Sequence, residues 1–378
     1  MSQTSTIPAR ILIVGGSGAF GRRVAERLAR SKELEIIVAG RDEARAAGTA
    51  AALRTAAHAK VAHAVADAGA LTPDRLARLG SPTVVINASG PFQTQDYALA
   101  RAAIDAGCHY IDLADARAFV SGITLLDADA RQRGVLVTSG ASTVPALSSA
   151  VIAAFENRFS RLEAVEICIS PGNSFDPGEA TTASVLSYAG RPIEVRTRSG
   201  THTVHGWQGL CRRRIGALGP RWMGHVEVPD LDLLPVAHPG LEALATRAGA
   251  EVPLFHFGLW GVSWLVRAGI LRTPERLARP LLALKRRLSF LGTDAGGMTV
   301  SMRGRDLGGT ALTIGWHLIA RRGHGPYVPA LAAVVLARKL VLRQEDRTGA
   351  MPCFKLVTLG ECLAEAADLA IETAVELA

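Results

Sequence analysis

The stretch Ile11-Leu12-Ile13-Val14-Gly15-Gly16-Ser17-Gly18-Ala19-Phe20-Gly21-Arg22-Arg23-Val24 decides the fold. Its first four residues form a short apolar run of the kind expected of a strand buried on both faces. Gly16, Gly18 and Gly21 then spell G-x-G-x-x-G, and Val24 and Leu28 begin a helical repeat. Strand, glycine turn and helix in that order are the setting in which this motif binds a dinucleotide. Gly16 is expected to make the tight turn and Gly18 to admit a pyrophosphate. Gly21 would let helix and strand approach. The helix N-terminus would offer free N–H groups to the phosphates. Ser17, Ala19 and Phe20 lie in the same cradle. In a chain with 38 glycines the motif is weak alone, and its context makes it informative.

The second apolar run, Glu35 to Ala39, ends in Gly40-Arg41-Asp42. This is where the adenosine ribose of a bound dinucleotide is met, about 20 residues past the glycines. An acidic residue there accepts from the ribose hydroxyls of NAD, whereas a guanidinium pairs with the 2′-phosphate of NADP. Arg41, with Arg45 a helical turn later, favours NADP and leaves NAD possible. Asp42 is the competing ribose acceptor, and a solvated loop is the plain alternative for Arg41. The arginine also counts against FAD and S-adenosylmethionine. Asp67, just past the Lys60–Ala66 strand, is placed either to touch the adenine amino group or to cap the next turn.

Further strands are expected at Pro82–Ile86, His109–Leu113 and Val135–Thr138, each followed by helical sequence. The small residues Ala88, Ser89, Gly90 and Pro91 follow the fourth strand, where backbone can pass close to the nicotinamide ribose. Six alternations of strand and helix predict an α/β Rossmann domain with a doubly wound parallel sheet. Leu162–Ile169, the Pro192–Arg198 and His202–Trp207 pair, Trp222–Val228, Met298–Gly304 and Ala311–Trp316 are strand-like. They predict an inserted mixed α+β second domain. Pro326–Leu342 and the alanine- and glutamate-rich tail Leu363–Leu377 read as helices.

Several stretches resemble the saccharopine dehydrogenase-like (saccharopine reductase-like) NAD(P)-binding oxidoreductases. They are VGGSGAFGRRVAERLAR, VAGRDEAR, VINASGPFQTQDYALARAAIDAGCHYIDLAD with Phe119-Val120 after it, and SGASTVPALSSAV. Late in the chain GPYVPALAAVVLARKL and CFKLVTLGECLAEAADLA join them. The resemblance covers about the first 150 residues and the last 55 and is thin between. It implies a Rossmann domain over 1–145, completed by 325–378. It also implies a substrate and dimerisation domain over 146–324, hence a homodimer acting on a small molecule. Relatives often carry Gly-Glu after the Y-I-D-L strand; here Asp115-Ala116 stand there, so no role passes to Ala116.

The chemistry is less legible. None of Tyr97, Tyr110, Tyr188 and Tyr327 has a lysine four residues on, so Tyr-x-x-x-Lys is missing, as are G-x-S-x-G and H-E-x-x-H. Tyr110, Asp112 and Asp115, near strand ends, are acid–base candidates, each with a structural or helix-capping role as its alternative. The expected activity is NADP-dependent hydride transfer to or from a small carbonyl, imine or amino-acid-derived substrate. The alternative is a dinucleotide-binding protein without turnover, with a scaffold or membrane-surface role.

With 48% hydrophobic and 20% charged residues, the composition is that of a globular protein. The net charge of +8 is mostly arginine, and few aromatics accompany its clusters at Arg212–Arg214 and Lys285–Arg287, which argues against nucleic acid. Five cysteines without C-x-x-C argue against a disulfide framework and a zinc site, so no metal is expected. With no signal-like start in MSQTSTIPAR, the expected location is cytoplasmic. Val252–Leu271 is the most apolar window. It is expected to be a buried helix, a dimer face or a lid, with peripheral membrane contact as the alternative.

Overall fold

A computed structural model describes residues 8–378; most of the MSQTSTIPAR segment lies outside them. The chain divides into two compact units. The first takes the described residues up to Ala114, Gly122–Ser142 and Pro329–Cys353; the second takes Asp115–Ser121, Thr143–Val328 and Phe354–Ala378.

In the first unit six strands alternate with helices: β1 (Ala9–Val14), β2 (Leu34–Gly40), β3 (Lys60–Val65), β4 (Val84–Asn87), β5 (His109–Asp112) and β6 (Leu136–Ser139). The strand Gly349–Pro352 pairs with β6. The spatial order is β3-β2-β1-β4-β5-β6 and then Gly349–Pro352, parallel throughout. This is the doubly wound Rossmann order, with its switch point between β1 and β4. Ile11, Leu12, Ile13 and Val14 are at most 1% exposed, so β1 is covered on both faces, as its unbroken apolar run requires. Helix α1 (Gly21–Leu28) packs against the almost wholly buried helix Leu331–Val341, whose Arg338 donates to the Arg27 carbonyl at 2.8 Å.

The second unit is built on a seven-stranded mixed sheet. Its strands are β7 (Phe159–Ser170), β10 (Cys211–Arg214), β11 (Pro220–His225), β12 (Ala243–Ala248), β13 (Gly296–Asp306), β14 (Ala311–Ala320) and β16 (Ile371–Leu377), numbering Gly349–Pro352 as β15. The order is β10-β11-β12-β7-β13-β14-β16, and only β12 and β7 run parallel. The hairpin of β8 (Pro192–Thr197) and β9 (Gly200–His205) forms a separate two-stranded sheet.

Three expectations are corrected. The tail is not one helix: a capped helix, Leu359–Glu365, is followed by β16. Ile371, Thr373, Val375 and Leu377 alternate with period two, a strand signal that outweighs the local alanine and glutamate content. Phe354–Ala378 belongs to the second unit, so the late contribution to the Rossmann unit is Pro329–Cys353 rather than 325–378. Within the apolar window the chain forms the helix Pro253–Arg267, and of the buried-helix, dimer-face and lid expectations the first is corrected: only His256 and Ser263 of this helix are buried.

Candidate functional site

The site grows from the C-terminal ends of β1, β2 and β4. Where β1 ends, the Gly15 and Gly16 amides both donate to the Ala39 carbonyl of β2, at 2.8 and 3.1 Å. The chain then folds back, and the Gly18 amide donates to the Gly15 carbonyl at 2.9 Å. Gly15 rather than Gly16 has the left-handed backbone, with φ +77°. A Cβ there would lie 2.8 Å from the backbone of Ala88 and Ser89, so the loop after β4 rests directly on this glycine. Gly15 was missed in the motif reading; its signal is its place immediately after the last apolar residue of β1. At Gly21 a Cβ would come 2.3 Å from the Gly15 carbonyl oxygen, which explains that glycine as the close approach of helix to turn. At Gly18 the only neighbour is that same oxygen at 3.1 Å, leaving the outer side of the turn open.

This turn fits a pyrophosphate. No side chain caps α1, so its first N–H groups have no side-chain acceptor. Ser17 Oγ is buried and has no hydrogen-bond partner among the described residues. A hydroxyl so placed beside an uncapped helix start suits a phosphate oxygen. Ala19 and Phe20 complete the turn, with Phe20 at the N-cap of α1.

At the end of β2, Arg41 is exposed, and among the described residues no hydrogen bond or ion pair engages its guanidinium. Asp42 is not similarly free. Its Oδ1 accepts from the Arg45 amide at 3.0 Å and caps α2 (Glu43–Arg54). Both side chains face solvent, and Asp42 also closes the start of a helix. Asp67 accepts from the Gly69 amide at 3.2 Å, capping a single turn, so the capping alternative is the one seen.

The loop Ala88-Ser89-Gly90-Pro91 is held from below by Asn87. Asn87 Oδ1 accepts from the Ser89 amide at 3.0 Å, and its Nδ2 faces Gln95 Oε1 and the Tyr110 hydroxyl, each at 3.2 Å. Gln95 reaches back to the Ser89 carbonyl. The Ala88 amide donates to Val14 at 2.8 Å. These bonds fix the loop backbone against the glycine turn across the switch point.

The acid–base candidates fare differently. Tyr110 is 1% exposed and hydrogen-bonded to Asn87, and burial holds its phenol well above the ordinary range. Asp112 is fully buried. Its Oδ1 accepts from Ser139 Oγ at 2.8 Å, the Gly140 amide at 2.9 Å and the Ala114 amide at 3.0 Å. Oδ2 has no donor of good geometry, although the Tyr110 hydroxyl is near enough to couple with it electrostatically. Burial pushes the Asp112 carboxyl up to about 6, against the hydrogen bonds that pull it down. Both groups are enclosed: Tyr110 touches the Asn87 side chain, and Asp112 ties down the backbone of Ala114 and Gly140. Asp115, in the second unit, is only partly buried and accepts from Ser184 Oγ at 3.1 and 3.3 Å. Among the described residues no cluster of three or more His, Cys, Asp or Glu is arranged to hold a metal.

The family model for the saccharopine dehydrogenase NADP-binding domain matches residues 11–154. No curated protein matches the sequence. Among solved structures, the chain is similar to the apo, L-Glu-forming saccharopine dehydrogenase of Saccharomyces cerevisiae. That match has a TM-score of 0.68 at 11% identity, over 97% of this chain and 100% of the other, a likeness of fold. GenD2 of gentamicin A biosynthesis, solved with NAD, aligns at TM-score 0.42 and 14% identity over 99% of each chain. The dehydrogenase MviM of Clostridium difficile aligns at 0.42 and 8%, over 95% of this chain and 96% of its own. Residues 11–154 thus carry a domain matching the saccharopine dehydrogenase NADP-binding family, in a chain whose overall fold is similar to that of saccharopine dehydrogenase.

Proposed function

We propose that the first unit binds NADP in preference to NAD, and that the protein moves a hydride between it and a small carbonyl, imine or amino-acid-derived substrate. The arrangement of Arg41 and Asp42 carries the reading. Asp42, which could accept from a free ribose, gives its Oδ1 to the cap of α2, and the Arg41 guanidinium beside it is exposed and, among the described residues, unengaged. An arginine so placed pairs with a 2′-phosphate through parallel bonds and gains nothing comparable from a ribose hydroxyl.

In this reading Gly15, Gly16, Ser17, Gly18, Ala19, Phe20 and Gly21 hold the pyrophosphate, Arg41 the 2′-phosphate, and Ala88 to Pro91 the nicotinamide ribose. The cofactor supplies the hydride. The chain orients it: Asn87 keeps the 88–91 backbone rigid, and Asp112 fixes the segments after β5 and β6. Asp115 is the one acid–base candidate with access to solvent. The second unit supplies substrate and homodimer contacts, and free cysteines throughout fit a reducing cytoplasm.

Fluorescence titration with NADPH and NADH tests the cofactor reading, and absorbance at the nicotinamide band with keto-acid and amine pairs tests turnover. The proposal expects tighter NADPH binding and oxidation or reduction with at least one pair. Equal affinity for the two cofactors would remove the preference, and binding without turnover across the panel would remove the hydride-transfer reading.

A further inference from the structure

The helix Pro253–Arg267 is turned inside out. Its buried residues are the polar His256 and Ser263, both at 0% exposure and seven positions apart on one face. His256 packs edge-on against Trp207, and burial lowers its pKa to about 4, so the neutral ring faces inward. The close fit on that side is set by Gly190, where a Cβ would strike the Ser263 carbonyl oxygen. The opposite face carries Leu254 (61% exposed), Phe257 (40%), Trp264 (45%) and Leu265 (45%), spaced as a single stripe. The following segment continues the pattern: Ile270, Leu284 and Phe290 are also exposed, the last at 75%. A water-facing apolar surface of this kind marks a contact site.

Charge says with what. Between Pro253 and Gly292 there are seven basic side chains and one acidic, Glu275, so this stretch holds most of the chain's net charge of +8. Glu179 and Asp176 meet Arg279 and Arg286 at 2.6 and 2.8 Å. Arg272, Arg276 and Arg287 are exposed and have no ion pair among the described residues. The basic groups border the apolar ones: the Arg267 guanidinium lies 5.2 Å from the Trp264 ring centre, and Leu284 and Arg287 share one face of the helix Ala278–Arg287. Apolar side chains rimmed by long basic ones, which can extend toward headgroups, are the makings of an interfacial anchor.

We propose that the 253–291 surface of the second unit docks on an anionic lipid bilayer. Spanning is not involved: no helix among the described residues is long and apolar enough to cross a membrane. The 15 residues of Pro253–Arg267 reach roughly 22 Å, short of the ~30 Å hydrocarbon core. A second copy of the chain is a poorer occupant, because a two-fold contact would set this basic rim against itself.

The test is flotation of the full chain with phosphatidylcholine vesicles, with and without roughly a third phosphatidylserine. Binding is expected to the anionic vesicles only, with a blue shift of tryptophan emission from Trp264, and it should weaken steeply as added salt shortens the Debye length. Leu265→Glu with Phe290→Glu should reduce partitioning by about a hundredfold. Arg272→Glu with Arg287→Glu, a second and purely polar pair, should abolish the phosphatidylserine dependence. Neither pair should alter NADPH affinity. Failure to bind anionic vesicles at low salt, equal binding to neutral ones, or binding indifferent to both pairs would each overturn the proposal. So would sedimentation showing that Leu265→Glu with Phe290→Glu splits a dimer, since the face would then belong to a second copy.

Discussion

Substituting Gly15 by alanine measures how tightly the glycine turn and the loop after β4 are built against each other. Two costs add. The backbone at φ +77° is left-handed, which costs an alanine about 1–2 kcal/mol. The new Cβ would also stand 2.8 Å from the Ala88 carbonyl group and the Ser89 nitrogen, all backbone, where ordinary contact is near 3.5–4 Å. Relief requires moving a loop tied by the Ala88 amide to Val14, by Asn87 to the Ser89 amide and by Gln95 to the Ser89 carbonyl. Overpacking of this kind, or the loss of one such bond, adds about 1–3 kcal/mol. The total is about 2–5 kcal/mol, which for a unit of this size lowers Tm by about 5–15 °C. Gly107→Ala isolates the first cost, since Gly107 has φ +70° with no atom within 4 Å of the added carbon. Gly40→Ala carries neither cost. Thermal unfolding of the three variants should therefore rank Gly40→Ala, Gly107→Ala, Gly15→Ala from most to least stable. A Gly15→Ala protein that melts with Gly107→Ala would refute the close approach of turn and loop.

Two further outcomes follow from the buried and half-buried carboxylates. Asp112 has a folded pKa of about 6 against an ordinary 3.8, so the folded state holds its proton more tightly. Its contribution to stability is greatest below pH 4 and is lost as pH rises through 6. Asp112→Asn keeps the acceptor oxygen and does not titrate; relative to the parent it should gain up to about 3 kcal/mol between pH 4 and 7 in urea unfolding, and a pH-independent difference would contradict this. Asp115→Asn, which can still accept from Ser184, should lower kcat by about a hundredfold or more and leave NADPH affinity unchanged; unchanged kcat would remove Asp115 from acid–base chemistry.

The Rossmann unit was legible because its signals are local. Ile11 to Val14 is an unbroken apolar run, and a strand buried on both faces has no other way to be written. The end of β2 was legible for a similar reason: Arg41 and Asp42 sit at a position whose location depends only on the preceding strand and turn. Which of the two is committed depended on where α2 begins, and the cap on the Arg45 amide decides it. Gly15 and Gly16 could not be ranked from sequence, because both are compatible with a turn and only the approach of Ala88 and Ser89 distinguishes them. Asp112 reads as an acid–base candidate because it ends a strand beside the expected crevice. Its three donors come from segments up to 28 residues away and leave no trace in spacing. The Pro253–Arg267 helix shows the limit most plainly. An apolar stripe reads as core, and nothing local announces that the polar His256 and Ser263 take the inward face instead.

The central claim is that Arg41 selects NADP through its 2′-phosphate. The most direct measurement is the ratio of NADPH to NADH affinity in the wild type and in Arg41→Ala, titrated by nicotinamide fluorescence at low ionic strength. A charge-assisted bidentate pair is worth about 1.5–3 kcal/mol, so NADPH binding should weaken by about 10- to 150-fold while NADH binding changes by less than about threefold. Equal losses for both cofactors, or no loss for either, would contradict the claim.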